Sequence, residues 1–304
     1  MSSRTLPRVA VIMGGRSAER EVSLSSGHEC VTALREMDYD VTAIDAGQDI
    51  AERLMESSPD VVFNALHGRW GEDGCVQGIL EWLRIPYSHS GVLASALAMD
   101  KARSKAAFVK AGIPVADGGL FSRKEIESGH VMTPPYVVKP NNEGSSVGVC
   151  IVPERANRPP DIDGGMPEPL MVEAYVAGRE LTVTVKGGKA LCVTEIITDG
   201  WYNYDAKYVP GASRHDLPAN LPDVITEACL AHAETAHQAL GCRGVSRIDF
   251  RWDDSRGLQG LFARETNTQP GMTTTSIVPE QAALRGTSFP ELCDWIVKDA
   301  SCER

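Results

Sequence analysis

Two short segments in the last quarter of the chain carry oxygen ligands at a spacing that could hold a metal ion. Arg247 and Asp249 lie two residues apart, and Glu265 and Asn267 repeat that spacing further along. Side chains two apart on a strand share a face, so Asp249, Glu265 and Asn267 converge if the strands pair with Asp249 opposite. Oxygen ligands without His or Cys suit Mg²⁺. The charged outer face of a half-exposed sheet would show the same spacing, and spacing alone leaves both interpretations open.

A stretch rich in glycine and serine follows a predicted strand in the middle of the chain. Residues 139–148 read KPNNEGSSVG. Glycines and small hydroxyl residues let backbone N–H groups approach phosphate oxygens closely, and Lys139 supplies positive charge. The sequence patterns of a P-loop and of a dinucleotide-binding turn are both missing. A phosphate cradle and a plain flexible hairpin remain the two interpretations.

Two further polar segments are site candidates. Glu19 follows Gly14-Gly15, where its carboxylate could bind an ammonium group or simply favour a helix N-terminus. Residues 203–208, NYDAKY, lie in a long polar and aromatic loop. Such a loop is typical of a lid and also of an ordinary surface loop. The residues by themselves decide neither case.

Strands that alternate with helices must position these residues in the first part of the chain. The predicted elements are a buried strand at 8–13, helical spacing from Ser23 to Met37, and strands at 40–45 and 60–66. This alternation predicts a doubly wound α/β unit, whose ligands bind beyond the carboxyl ends of the strands. Gly14-Gly15 and His67-Gly68 fall at such ends.

The remaining elements predict mixed α+β structure. They are a helix at 95–112, a hairpin around residues 139–148, a surface loop at 153–169, strands in MVEAYV and LTVTVKG, a turn-rich loop at about 199–220, a helix at 222–240, a strand pair in SRIDFRW and GLQGLFARETN, and a terminal helix at about 289–299. The length of 304 residues suggests two or three domains.

Composition excludes several classes of protein. The net charge of −11 argues against a general binder of nucleic acid or anionic membranes. The eight cysteines include no Cys-x-x-Cys pair, which argues against a zinc ribbon or a thioredoxin-like site. No signal peptide or membrane span is apparent, so a cytoplasmic protein with reduced cysteines is expected.

Taken in order, these stretches resemble the D-alanine–D-alanine ligase family, which has the ATP-grasp fold. The resemblance rests on GGRSAEREVSLSSG at 14–27, ALHGRWGEDGCVQG at 65–78, SGVLASALAMDKARSK at 90–105, VVKPNNEGSSVGV at 137–149, YNYDAKY at 202–208, GVSRIDF at 244–250 and ETNTQPGMTTTSIVP at 265–279. It implies three α/β domains. They are an N-terminal doubly wound parallel sheet at 1–94, a small central α+β domain at 95–178 and a C-terminal antiparallel-sheet α+β domain with the metal site at 179–304.

The resemblance implies the following reaction. ATP phosphorylates the carboxylate of a first D-alanine, and the amino group of a second D-alanine attacks the acyl phosphate. ADP, phosphate and a dipeptide for peptidoglycan synthesis result. A Tyr at position 208 goes with the dipeptide product, which favours D-alanine over D-lactate as second substrate. The family also forms homodimers.

The resemblance further assigns roles to individual residues of this sequence. ATP contacts fall to Lys101, Lys139, Glu143, Ser146, Glu173, Glu180 and Lys207. Two Mg²⁺ ions, for which Mn²⁺ can substitute, fall to Asp249, Glu265 and Asn267. Substrate contacts fall to Glu19, His67, Ser276 and Ile277. Stabilisation of the oxyanion of the tetrahedral intermediate is assigned to Arg247 and the backbone at Gly271. Closure of the loop over the site is assigned to Glu19, Ser145 and Tyr208.

One residue departs from the family pattern. Ala263-Arg264 stands before Glu265 where the family has two apolar residues. If the strand register is unchanged, Arg264 points away from the metal face and into a face that a helix covers. An unpaired charge buried there costs several kcal/mol. Two rival functions remain open: another carboxylate–amine ligase of the same fold, and a nucleotide-binding regulatory protein without turnover.

Overall fold

The computed structural model describes residues 6–144, 148–198 and 213–302. Four predicted site residues lie outside the described residues: Ser145, Ser146, Lys207 and Tyr208. The described part contains three sheets, as expected for an ATP-grasp fold. The domain boundaries at 94/95 and 178/179 stay a prediction.

Short apolar strands that alternate with helices build a parallel sheet in the first part of the chain. The elements are β1 (Val9–Met13), α1 (Arg20–Glu36), β2 (Val41–Asp45), α2 (Ile50–Ser57), β3 (Val61–Asn64) and α3 (Cys75–Leu83). The strand order is β2-β1-β3, with both pairings parallel. Every residue of β1 is buried, because helices cover both faces of such a sheet. The doubly wound alternation is therefore confirmed.

The predicted helix at 95–112 is two helices, α4 (Val92–Met99) and α5 (Lys101–Lys110), so that prediction is wrong. Asp100 between them has extended backbone angles, and its carboxylate accepts a hydrogen bond from the backbone N–H of Arg103. Asp is a preferred N-cap residue, so it ends one helix and begins the next. Lys101 thereby becomes the first residue of α5.

A four-stranded antiparallel sheet follows. The elements are β4 (Gly118–Phe121), α6 (Arg123–Ser128), β5 (Tyr136–Pro140), β6 (Cys150–Val152) and β7 (Leu170–Ala174), in the strand order β4-β7-β5-β6. The antiparallel pairing of β5 with β6 confirms the hairpin predicted around the glycine-rich loop. Tyr136, Val138 and Val172 form a core with Ile126 of α6. Lys139 and Glu173 alternate with these residues and therefore point to the opposite face.

The largest sheet has five antiparallel strands in the order β10-β9-β8-β11-β12. The elements are β8 (Arg179–Lys186), β9 (Lys189–Thr198), β10 (Ser213–Asp216), α7 (Asp223–Ala239), β11 (Val245–Trp252), a 3₁₀ turn (Asp254–Gly260), β12 (Leu261–Asn267), α8 (Ile277–Leu284) and α9 (Phe289–Asp299). One face forms a core with α7. On the other face, Gln281 of α8 donates a hydrogen bond to the hydroxyl of Thr194.

The register of β11 and β12 is the one that the site needs. Asp249 lies directly opposite Glu265, and Arg247 lies opposite Asn267, which confirms the pairing on which the predicted convergence depends. The next pair is Phe250 opposite Ala263, so the ladder skips one residue of β12. The skipped residue is Arg264. An extra residue of this kind is a β-bulge, and it breaks the alternation of faces.

The first and last parts of the described chain share a core. Val9, Val11 and Phe63 pack in one cluster with Leu292 and Ile296 of α9. Near this cluster, the hydroxyl of Tyr39 donates to the carboxylate of Asp294 at 2.8 Å. Among the described residues, no helix combines the length and apolar character needed to cross a membrane.

Candidate active site

A cavity of about 470 Å³ opens where the parallel sheet, α5, the β11–β12 pair and the start of α8 meet. The predicted site residues that line it are Glu19, His67, Lys101, Glu143, Arg247, Glu265, Asn267, Gly271, Ser276 and Ile277. Asp249 is buried and does not line the cavity itself. Lys139, Glu173 and Glu180 belong to a neighbouring charged cluster between the two antiparallel sheets. The structure thus brings together residues that are up to about 260 positions apart in sequence.

Glu19 stands at the amino end of α1, directly after the turn that ends β1. Its side chain is buried against glycines on two sides. A Cβ atom on Gly68 would lie 3.0 Å from Oε1 of Glu19, and one on Gly144 would lie 2.7 Å from it. The glycine-rich loop therefore approaches Glu19 closely at Gly144.

His67 is held in one orientation by its neighbours. Its Nδ1 atom lies 3.1 Å from the carbonyl oxygen of Gln269, so Nδ1 carries a proton and donates. Its Nε2 atom lies 3.0 Å from the hydroxyl of Ser26. The carboxylate of Glu72 lies 3.5 Å from Nδ1. Burial would lower the pKa of His67, but Glu72, with a smaller contribution from Glu19, outweighs it and raises the pKa.

Glu72 is a site residue that the sequence reasoning missed. It lines the cavity, and its carboxylate accepts a hydrogen bond from the backbone N–H of Gly68. Burial raises the pKa of Glu72, while the contact with His67 opposes that rise. The signal was present, because Glu72 lies within the stretch ALHGRWGEDGCVQG on which part of the resemblance rests.

Arg247 and Asp249 form a close ion pair on β11. The Nε and Nη2 atoms of Arg247 each donate to a different oxygen of Asp249, both at 2.8 Å. The hydroxyl of Thr182, on the neighbouring strand β8, donates to Asp249 at 2.6 Å. These three contacts fix the buried carboxylate next to Arg247, which lines the cavity. Two parallel N–H···O bonds are the strongest form of such a pair.

Asp249, Glu265 and Asn267 fit the hard-cation site predicted for them. Two carboxylates and one amide share a sheet face, and Glu265 and Asn267 open to the cavity. Within the described ranges, no three His, Cys, Asp or Glu side chains form a metal cluster by themselves. The two carboxylates and the amide of Asp249, Glu265 and Asn267 suit Mg²⁺, which usually binds one or two carboxylates and completes its shell with phosphate oxygens and water.

Lys101 connects the glycine-rich loop to the β12 carboxylate. As the first residue of α5, it donates from Nζ to the carbonyl oxygen of Glu143 at 2.6 Å. The same Nζ lies 3.9 Å from Oε2 of Glu265. Lys101 is itself buried, so its charge acts in a poorly solvated place. It can therefore neutralise negative charge that arrives between the loop and β12.

A buried charge cluster lies between the two antiparallel sheets. Glu173 of β7 accepts hydrogen bonds from both Lys105 and Lys139. Burial would raise the pKa of Glu173, but the charges of Lys139 and Lys105 outweigh it and hold the pKa at about 2. Lys105 was also missed, although it lies inside the stretch SGVLASALAMDKARSK. A cavity of about 20 Å³ lined by Lys105 and Glu173 adjoins this cluster.

Arg264 does not enter the helix-covered face, so the expectation for it is wrong. The bulge turns its side chain toward Glu180, and its Nη1 atom donates to Oε1 of Glu180 at 2.7 Å. Arg251 donates to the other oxygen of Glu180 at 3.3 Å. Burial would lower the pKa of Arg264, but nearby carboxylates, Glu180 first, outweigh it and raise the pKa. The charge is therefore paired, and the cost of an isolated buried cation does not arise.

The start of α8 forms the opposite end of the cavity. The hydroxyl of Ser276 lies 2.7 Å from the hydroxyl of Thr273 and accepts from the backbone N–H of that residue at 3.1 Å. A Cβ atom on Gly271 would lie 3.0 Å from the same hydroxyl, so the turn is tight. Ile277 begins the helix, and its backbone N–H belongs to the group that no intrahelical carbonyl satisfies. Such a helix start favours an anion.

Comparison with known proteins agrees with this geometry. The family model described as D-ala D-ala ligase C-terminus matches residues 108–298, and the N-terminus model matches residues 45–90. The D-alanine--D-alanine ligase of Dinoroseobacter shibae is 66% identical over 304 residues, covering 100% of this chain and 99% of that protein. One from Cereibacter sphaeroides is 67% identical over 303 residues, with the same coverage.

Solved structures show the same relationship. The crystal structure of the Bacillus anthracis D-alanine--D-alanine ligase complexed with ATP is 31% identical, with a TM-score of 0.77 and coverage of 96% of both chains. Another structure of the Bacillus anthracis ligase is 32% identical, with a TM-score of 0.79 and coverage of 97% of both chains. The chain described here belongs to the D-alanine–D-alanine ligase family.

Proposed function

We propose that this chain joins two D-alanine molecules into D-alanyl-D-alanine at the expense of ATP, through a D-alanyl phosphate, for peptidoglycan synthesis. Membership in the ligase family supports the proposal. The observation that carries it is one shared cavity, onto which Glu19, Lys101, Arg247, Glu265 and the start of α8 all face. The ammonium group of the first D-alanine, the phosphates of ATP and the carboxylate of the second D-alanine would each lie near a group of opposite charge or a helix start in this cavity.

In the first step, the cavity would align the carboxylate of the first D-alanine with the terminal phosphate of ATP. Phosphoryl transfer depends mainly on positioning and on neutralising charge. Glu19 would hold the ammonium group, with His67 near the carboxylate. The ATP contacts proposed from the resemblance are Lys101, Lys139, Glu143, Ser146, Glu173, Glu180 and Lys207. For Lys101, the contact with the glycine-rich loop supports this role.

We propose Mg²⁺, with Mn²⁺ as a substitute, bound by Asp249, Glu265 and Asn267. Two such ions, when bound, would supply positive charge that neutralises the phosphate groups during transfer. The facing positions of Asp249 and Glu265 support this assignment. Arg247 lies beside these carboxylates, and its guanidinium group presents a positive charge to the same cavity.

In the second step, the amino group of the second D-alanine would attack the activated carbonyl. Arg247 and the backbone N–H at Gly271 would stabilise the oxyanion that forms. Ser276 and Ile277 would receive the carboxylate of this second substrate. Glu19, Ser145 and Tyr208 would close the loop over the site, and the Tyr at 208 supports D-alanine rather than D-lactate as second substrate.

A phosphate-release assay tests the proposal and its nearest rival. With ATP and Mg²⁺, D-alanine should raise phosphate release well above background and yield one dipeptide per phosphate. L-Alanine should give no rise, and D-lactate offered with D-alanine should give no ester. Absence of a D-alanine response would show that the substrate assignment is wrong and favour a different carboxylate–amine ligase.

The metal assignment makes a separate prediction. Glu265→Gln should raise the Mg²⁺ concentration for half-maximal activity at least about tenfold, because an amide carries no charge for a hard cation. Binding of Mn²⁺ with ADP present, followed by electron paramagnetic resonance, should weaken in parallel. Glu227→Gln, on the exposed side of α7, is the control. Unchanged Mn²⁺ binding in the Glu265 variant would remove that residue from the site.

Two further proposals concern the state of the protein in the cell. The resemblance supports a homodimer and a cytoplasmic location.

A further inference from the structure

A histidine on the edge strand of the five-stranded sheet faces the cavity and lies outside the roles assigned so far. His215 of β10 lies opposite Ile196, which lies opposite Glu180 on β8. Residues directly opposite each other in a sheet share a face, so His215 is on the same face as Glu180. Its side chain lines the cavity and is 19% exposed.

His215 holds a carboxylate that belongs to α8. Its Nδ1 atom lies 2.7 Å from Oε2 of Glu280 and donates to it, since a carboxylate can only accept. The side chain of Glu280 is 29% exposed and lies in the first turn of α8. The contact therefore joins an edge strand to the helix start that lines the cavity.

The position of Glu280 creates a conflict of charge. The start of α8 is the proposed subsite for the carboxylate of the second D-alanine, at Ser276 and Ile277. A helix start attracts an anion through its free N–H groups and its dipole. Glu280 lies about one helical turn away, roughly 5 Å along the axis. A free carboxylate at that distance repels the substrate carboxylate that the helix start attracts.

We propose that His215 is a positioning residue for the second substrate, because it holds the Glu280 carboxylate against β10 and away from the start of α8. The proposal rests on the proposed function and deepens it by naming a pair that controls affinity for the carboxylate of the second amino acid. His215 acts through Glu280 and takes no part in the transfer of the phosphoryl group.

The test is a double-mutant cycle on this pair. His215→Leu frees Glu280 and should raise the KM for the second D-alanine roughly tenfold, since the freed charge repels the substrate at short range. The KM for ATP and kcat should stay within about twofold. Adding Glu280→Gln to His215→Leu should return that KM to within about threefold of the parent, because the repelling charge is gone.

A purely structural role of His215 predicts a different pattern. The double variant would then keep the raised KM or make it worse, and kcat would fall with it; that result overturns the proposal, as does an unchanged KM in His215→Leu. His232→Leu, on α7 at the other face of the sheet, is the matched control. Thermal melting of each variant shows whether it is folded. If the parent chain itself shows no D-alanine-dependent phosphate release, it is the proposed function that fails.

Discussion

Replacing Arg247 by methionine should lower kcat for dipeptide formation by about 100- to 1,000-fold, the usual effect of losing one donor to an oxyanion. Methionine keeps much of the side-chain volume and removes the charge and the hydrogen bonds. The affinity for ATP should stay within about threefold, because Arg247 is not among the residues proposed to contact the nucleotide. Steady-state kinetics and calorimetric titration with ATP measure the two quantities.

This variant also separates the enzyme from a nucleotide-binding regulator without turnover. A regulator would keep all of its function, since Arg247 would only balance Asp249. Arg285→Met is the matched control, because Arg285 lies at the end of α8 and donates to the backbone oxygen of Leu191. The Arg247 variant also loses a buried ion pair, so it should be assayed well below its melting temperature. Equal kcat in the Arg247 variant and the control would refute the oxyanion role.

Replacing Glu173 by glutamine should lower the free energy of unfolding by about 3–5 kcal/mol, because Lys105 and Lys139 then remain buried without a counter-charge. The parent chain gains this stability from a carboxylate whose pKa is about 2 when folded and 4.5 ordinarily. A lowered pKa stabilises the folded state fully above the ordinary value, and the contribution is lost as the pH falls toward the folded value.

The difference in stability between parent and Glu173→Gln should therefore be constant from neutral pH down to about pH 5 and shrink toward pH 2. Urea unfolding followed by circular dichroism at a series of pH values measures it. Glu127→Gln, on the exposed side of α6, should change little. A constant difference down to pH 2 would mean that the variant acts through packing and not through charge.

The strand pair of the proposed metal site was predictable from the sequence, because its polar residues repeat at a spacing of two. Asp249 and Glu265 lie opposite each other, which is the condition that their predicted convergence needed. The bulge at Arg264 could not be foreseen, since one extra residue in a ladder leaves no mark in hydrophobic alternation. The strict alternation that was assumed therefore put Arg264 on the wrong face.

Other differences between the sequence-based predictions and the structure also have specific physical causes. The break between α4 and α5 depends on one N-cap residue, Asp100, in an otherwise helical stretch. Lys105 acts through Glu173 of a distant strand, whereas Glu72 acts through His67 and Gly68 of its own segment, and no spacing rule marks either residue. The roles of Ser145 and Tyr208 depend on the resemblance alone, because both residues lie outside the described ranges.

The core shared by β1, β3 and α9 has a consequence for how the chain is made. Residues of β1 leave the ribosome early, whereas α9 (Phe289–Asp299) leaves it much later. Until then, the face that carries Val9, Val11 and Phe63 lacks part of its cover. A nascent chain with apolar surface exposed this long is prone to aggregation and suited to chaperone binding. The pocket around Glu19 can therefore form only after Ser276 and Ile277 have been synthesised, long after Glu19 itself.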